Sequence, residues 1–205
     1  MTDGPATPTR RMSGPERRAA ILDAARGQFA RHGFHGAATA AIARAAGCSE
    51  AILYRHFPSK RDLLVAVLRA EVEGRIVADR DLVVRVASDP AGMLPEVLRR
   101  RIEEGELQIT ARLVLLAISM SGDEEIGDAV RGAFEAIRGP LREVIAGAQA
   151  DGTVRPDLDP EALTWIWHGL FLVALVRNSL APDGVALGAV DAARVLAELQ
   201  EPPRS

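Results

Sequence analysis

The sequence predicts an all-α protein, on three observations. Apolar residues make up 48% of the chain and aromatic residues only 4%, so the core is built mainly from Ala, Leu, Val and Ile, a composition that favours helices over sheets. Apolar positions recur at helical spacing through most of the chain. Cap and stop signals divide it into about nine helices, and no segment makes a convincing strand.

Residues 1–12 carry Pro, Thr and Gly with Arg10 and Arg11 and read as a flexible basic arm. Ser13 and Glu16 form a capping-box pair, with Pro15 in the first turn where its missing N–H does no harm. A helix to about His32 buries Ile21, Ala25 and Phe29, with Leu22 alongside; Gly33 closes it and Phe34 makes the apolar contact after the cap. Two short helices follow, at roughly 38–46 and 49–56. Ile42, Ala43 and Ala46 share one face of the first. Gly47 takes a positive φ and ends it, and Ser49 caps the second. Ile52, Leu53 and Phe57 point back to the core, leaving Glu50, Ala51, Tyr54, Arg55 and His56 outside. Two short helices joined by a Gly-containing turn form a helix-turn-helix, whose second helix enters the DNA major groove.

Pro58 stops that pair. Ser59 with Asp62 opens a long helix from Lys60 to about Asp79, lined by Leu63, Leu64, Val67, Leu68 and Val72. Between Arg80 and Arg101, Val83 to Val86 either continue the helix or break it, Asp89-Pro90 reads as a cap and first position, and Pro95 blurs the next start. A strongly apolar helix runs from Glu106 to Met120, ended by Ser121-Gly122. Asp123-Glu124-Glu125 place negative charge at the start of the next, which reaches about Ala150 with a kink expected at Pro140. Asp151-Gly152 is a turn, and Asp159-Pro160-Glu161 start a helix ending near Leu180. Pro182-Asp183-Gly184 is a turn, and Val185 to Leu199 form the last helix. The expected organisation is a basic arm (1–12), a helix-turn-helix domain (13–58) and a helical ligand-binding and dimerisation domain (59–205).

The net charge of −3 conceals an asymmetry. Residues 1–60 hold nine Arg/Lys against four Asp/Glu, and residues 61–205 hold sixteen against twenty-four. A basic head on an acidic body points to a polyanion as the partner of the head. The single cysteine, Cys48, excludes an internal disulfide and reads as filler in the helix-turn-helix bend. The first twenty residues lack an apolar signal core. The longest charge-free apolar run, Ala162 to Val176, is fifteen residues, short of a membrane span. A cytoplasmic protein without membrane contact is expected. No Gly-rich phosphate loop, nucleophile elbow or paired metal ligands are present, and His32 and His35 lack a completing cluster. Neither an enzyme nor a cofactor or metal is expected.

The run Ile21-Leu22-Asp23-Ala24-Ala25, Phe29-Ala30, Gly33-Phe34, Ile42-Ala43, Ala45-Ala46-Gly47, Ser49, Leu53-Tyr54, His56-Phe57 and Ser59-Lys60 resembles, in order and spacing, the TetR family of bacterial transcriptional regulators. The resemblance covers residues 17 to 65 well; beyond them only the helical plan and length match. It implies a homodimer with an N-terminal three-helix DNA-binding domain and a C-terminal domain for dimerisation and small-molecule binding. It further implies a repressor released from a palindromic operator by a ligand. The alternative is a ligand-independent regulator, or an activator, of the same fold. Two places depart from the family. Its usual Thr/Ser pair opening the second helix is Ala37 and Ala38 here, with Thr39 one residue later to take over the cap or the phosphate contact. Its common recognition-helix Gly is Ala51.

The expected DNA-binding residues are Thr39, Ser49, Glu50, Ala51, Ile52, Tyr54, Arg55, His56 and Lys60. Tyr54 and His56 match family positions that contact the backbone, Thr39 joins them, and Lys60, the only lysine, adds charge at a helix N-terminus. Glu50, Ala51, Ile52 and Arg55 are the base readers: Arg55 suits guanine, Glu50 suits cytosine N4 and Ala51 a thymine methyl. For Glu50 and Arg55 a solvated pair is the plain alternative. In the body, Arg112, Met120, Phe134, Trp165 and His168 are candidate pocket residues. Leu163, Trp167, Leu170 and Ala174 form one stripe of an all-apolar helix and are the candidate dimer interface; Trp165, His168, Leu172 and Val176 form another. A hydrogen-bonded core role for His168, a salt-bridged or solvent-reaching Arg112, and core packing for Met120 and Phe134 are the plain alternatives. The aliphatic composition hints at a hydrophobic effector.

Overall fold

A computed structural model describes residues 12–73, 106–180 and 186–201, with side chains described only in part within the last two helices and at residues 106 and 107 not at all. Eight α-helices, and no strand, lie among the described residues: α1 (Gly14–Gly36), α2 (Thr39–Ala45), α3 (Glu50–His56), α4 (Lys60–Val72), α5 (Glu106–Ser119), α6 (Glu124–Ala150), α7 (Pro160–Leu180) and α8 (Ala186–Gln200). The expected extension of α4 to Asp79, the segment Arg80 to Arg101 and the arm with Arg10 and Arg11 lie outside the described residues.

Local chemistry accounts for the helix ends. At the start of α1 the Glu16 N–H donates to the Ser13 hydroxyl at 3.4 Å and the Ser13 N–H donates to the Glu16 carboxylate at 2.7 Å, a closed capping box. The helical path breaks at Gly33, φ +66°, a value costly for any residue with a β-carbon. One further turn lets Phe34 lie back on Phe29, rings 6.2 Å apart and nearly parallel. Gly47, φ +64°, turns the chain between α2 and α3. At the start of α4 the Asp62 N–H donates to the Ser59 hydroxyl at 3.0 Å, and that hydroxyl donates to the Asp62 carboxylate at 2.8 Å. Asp123 caps α6 by accepting from the N–H groups of Glu125 and Ile126 at 3.1 and 3.2 Å. The Ile126 bond first, and the Arg61 guanidinium after it, hold its carboxyl below the ordinary aspartate value. α6 remains helical through Pro140.

One core runs through both halves of the chain. Ile21, Ala25 and Phe29 of α1 pack with Ile42 of α2, Leu53 of α3 and Leu63, Leu64 and Val67 of α4, and the cluster continues into Leu113, Ala117 and Ile126. Burying each large aliphatic side chain of this set contributes about 2 kcal/mol relative to leaving it in water. α4 therefore packs on α1, α5 and α6 together. A second cluster joins Ile145, Ala148, Val154, Leu163 and Trp167. Two side chains tie its edges. Gln149 Nε2 donates to the carbonyls of Arg155 and Leu158 at 2.9 and 2.7 Å. Trp167 Nε1 donates to Gln200 Oε1 at 3.2 Å, bringing α8 onto α7.

Candidate nucleic-acid interface

α3 is seven residues long and has one face inward. Leu53 is fully buried and Phe57, just past its end, is nearly so. Glu50, Ala51, Tyr54 and Arg55 are exposed, and Ile52 and His56 are half-buried. Spacing of i, i+1, i+4, i+5 puts the exposed four on one side of a 3.6-residue helix. The Ser49 hydroxyl accepts from the Ile52 N–H at 3.4 Å, so its predicted cap role holds. Tyr54 stands 42% exposed, on the same side as Glu50, Ala51 and Arg55.

Three predicted residues meet at the α2–α3 corner. The Thr39 hydroxyl donates to Glu50 Oε1 at 2.6 Å, and the Tyr54 hydroxyl donates to Thr39 Oγ1 at 3.4 Å. Thr39 is not the cap of α2. The N-cap is Ala38, which has no oxygen to offer, and no side chain caps this helix. The hydroxyl at 39 instead ties α2 to α3, and the Glu50 carboxylate accepts from it while facing outward. Lys60 lies at the start of α4 with its ammonium 5.1 Å from the Phe34 ring centre and donates to the His35 carbonyl at 3.4 Å. Partial burial lowers its pKa from the ordinary lysine value.

Sequence reasoning missed two arginines that brace this corner. Arg17 Nη1 donates to the carbonyls of Ala46 and Gly47 at 2.8 and 2.9 Å. These oxygens end α2, so a cation from α1 satisfies orphan carbonyls at a helix C-terminus. Arg18 places its guanidinium 4.9 Å over the Phe57 ring. Both sit in a run of charge that reads from sequence as a solvated helix start. Nothing local in it says which cation reaches 29 residues along the chain.

α4 is held at both ends. Arg61, at its start, reaches Asp123 and Glu125 of α6 at 3.3 Å each. Near its end, the buried Glu71 accepts from Arg26 Nε of α1 at 2.7 Å and from the Thr110 hydroxyl of α5 at 2.6 Å.

The body residues distribute differently from the sequence expectation. Arg112 is exposed, reaching solvent from a helix whose other faces are apolar, and Trp165 is 62% exposed; neither lines an interior. Met120 is half-buried against the first core cluster. Phe134 and His168 do meet, ring centres 5.2 Å apart. The stripe assigned to a partner subunit faces inward. Leu163 and Trp167 are buried in their own protomer and Leu170 packs beside them, while the Ala174 side chain lies outside those described. Among the described side chains of the body, Trp165, Ile166, Val173 and Leu180 of α7 and Val195 and Leu199 of α8 are left in solvent, as are Leu115 and Ile118 of α5. A helix apolar all round fixes no face from sequence alone; packing on α6 through Ile145 and Ala148 settled it.

No described helix is long and apolar enough to cross a membrane. Residues 21–67 match the profile of bacterial regulatory proteins of the tetR family. The chain is 30% identical over 149 residues to the HTH-type transcriptional regulator RutR of Escherichia coli strain K12, covering 72% of this chain and 69% of that protein. A TetR-family transcriptional regulator from Agrobacterium tumefaciens superposes with a TM-score of 0.75 at 21% identity, covering 93% of this chain and all of that one. A transcriptional regulator from Saccharomonospora viridis, solved in complex with choline, has a TM-score of 0.70 at 25% identity, covering 90% and 94%.

Proposed function

Since this chain belongs to the TetR family and is a DNA-binding transcriptional regulator, we propose that it is a homodimeric repressor which leaves a palindromic operator when a small molecule enters its C-terminal helices. The observation that carries the reading is the joint one at α3 and α4. α3 turns Glu50, Ala51, Tyr54 and Arg55 outward, and the helix that follows it is pinned to α1, α5 and α6.

In this reading α3 enters the major groove, where Arg55 and Glu50 face base edges and Ala51 a thymine methyl. Ile52, half-buried beneath them, completes the base-facing set. Ser49 sets the start of α3, while Tyr54, His56, Thr39 and Lys60 address phosphates on either side. Most of the affinity is electrostatic and falls with salt. Two copies pair through the exposed faces of α7 and α8. Ile166, Val173 and Leu180 recur at seven-residue spacing, the repeat of helices packed side by side, and Val195 and Leu199 add an i, i+4 pair from α8. Two helices from each protomer form a four-helix interface, and its two-fold axis makes the operator a near-palindrome.

Release is a two-state shift. A ligand among α5, α6 and α7 displaces α5 or α6. Arg61 and Glu71 transmit that displacement to α4, and the separation of the two α3 helices changes. Gel-shift titration with DNA flanking the protein's own gene tests the reading. A sequence-specific shift by a dimer, weakening with salt, supports it; absence of any specific shift down to low salt refutes it.

A further inference from the structure

The imidazole of His168 is 4% exposed, and its Nε2 has no hydrogen-bond partner among the described residues. Buried polar atoms are almost always paired, so an unpaired one calls for an explanation. One turn earlier Thr164, also buried, is satisfied by donating to the Pro160 carbonyl at 2.7 Å. Gln200 Nε2 is unpaired too, but that amide is anchored through its oxygen by Trp167. His168 Nε2 has no such anchor. On one side the ring meets Phe134, 5.2 Å away and tilted by 40°.

The charges around it are already matched. Among the described residues, Arg138 and Glu135 of α6 are the ionised groups that act on His168. Arg138 Nη2 donates to Glu135 at 2.8 Å, and Arg138 also bonds Glu161, which Arg142 approaches at 3.9 Å. Among the described residues two cations face two carboxylates, so an ionised ligand meets no unmatched charge there. A neutral imidazole offers one donor and one acceptor, and a flat aromatic neighbour favours a flat guest by offset or edge contact.

Resting on the ligand-responsive reading above, we propose that Phe134 and His168 form the recognition point of the effector site and select an uncharged, planar molecule that hydrogen-bonds to His168 Nε2. This is narrower than a hydrophobic effector, because specificity lies in one directional bond.

The test uses the full-length dimer with four fragment probes: phenol and benzamide, which are uncharged, and benzoate and benzylamine, their ionised counterparts. The readouts are the 15N resonance of His168 Nε2 and the thermal midpoint. Phenol or benzamide should move the resonance and raise the midpoint, with each ionised counterpart at least tenfold weaker. His168→Leu should keep the dimer and weaken the uncharged probes at least tenfold. Neither uncharged probe moving Nε2, an ionised probe binding more tightly, or undiminished binding to His168→Leu would each overturn it. If His168→Leu does not fold, the resonance in the unaltered protein decides alone. A gel shift without any probe is run beside these, so a protein that binds its operator but no fragment disproves this site and leaves the regulator reading standing.

Discussion

Arg26 Nε donates to Glu71 Oε2 at 2.7 Å, joining the middle of α1 to the end of α4 with both side chains nearly out of solvent. Thr110 of α5 donates to the other oxygen of the same carboxylate. One buried acid therefore organises three helices, two from the DNA-reading end and one from the body. A charge there is tolerated only because cation and hydroxyl replace its water.

Arg26→Leu removes the cation that faces a carboxylate still bonded by Thr110. It should destabilise the fold by about 3 kcal/mol, the lower part of the range for breaking a buried pair. Arg26→Leu combined with Glu71→Leu should cost much less, since an apolar pair of similar volume avoids the desolvation. Urea titration of the single and double variants checks this. Additive losses would mean the two side chains do not act as a pair.

Arg17→Ala should loosen the α2–α3 turn without touching the outward face of α3. The two bonds to Ala46 and Gly47 come from one charged group, and losing them should cost about 2 kcal/mol. Operator affinity should fall with no change in which base pairs are preferred, read by gel shift on single-base operator variants. A change in preference would place Arg17 at the bases instead.

How far the sequence revealed this arrangement follows the range of each signal. Ser13, Ser49 and Ser59 cap where they should because a cap is decided within three residues. Gly33 and Gly47 turn where they should because few other residues tolerate that backbone. Ile21, Phe29, Ile42 and Leu53 are buried as their periodicity requires. Tertiary choices were invisible. Arg17 and Arg26 reach 29 and 45 residues along the chain, and Trp167 could have faced a partner as readily as its own core. At position 39 the sequence offered a hydroxyl for a cap or a phosphate, whereas its closest partner is Glu50.

Glu50 is the acidic member of the proposed DNA-facing surface, between residues that address phosphates. Glu50→Gln keeps an acceptor for Thr39 but removes a negative charge from that surface. One charge at about 4 Å in water is worth about 1 kcal/mol, so affinity for nonspecific DNA should rise roughly fivefold. Discrimination between the operator and its single-base variants should fall in parallel if Glu50 reads a base. Fluorescence anisotropy at several salt concentrations separates the two effects. Unchanged discrimination would make Glu50 a structural partner of Thr39 alone.

Acid sensitivity should expose the buried imidazole. Burial first, and the Arg138 charge after it, lower the His168 pKa from its ordinary 6.5, with Glu135 opposing. The folded protein thus resists a proton that the unfolded chain accepts. For a lowered histidine the stabilisation is complete above the unfolded value and declines as pH falls below about 6.5, levelling off once the folded form also protonates. Thermal midpoints between pH 8 and 5 should fall for the unaltered protein, and His168→Leu should remove the part of the fall that begins near 6.5. Carboxylates capping helices, Asp123 among them, lose their contribution only nearer pH 4, so the two effects separate on the pH axis. An identical profile in His168→Leu would mean that the imidazole takes up its proton as readily folded as unfolded, and that its burial carries no electrostatic cost.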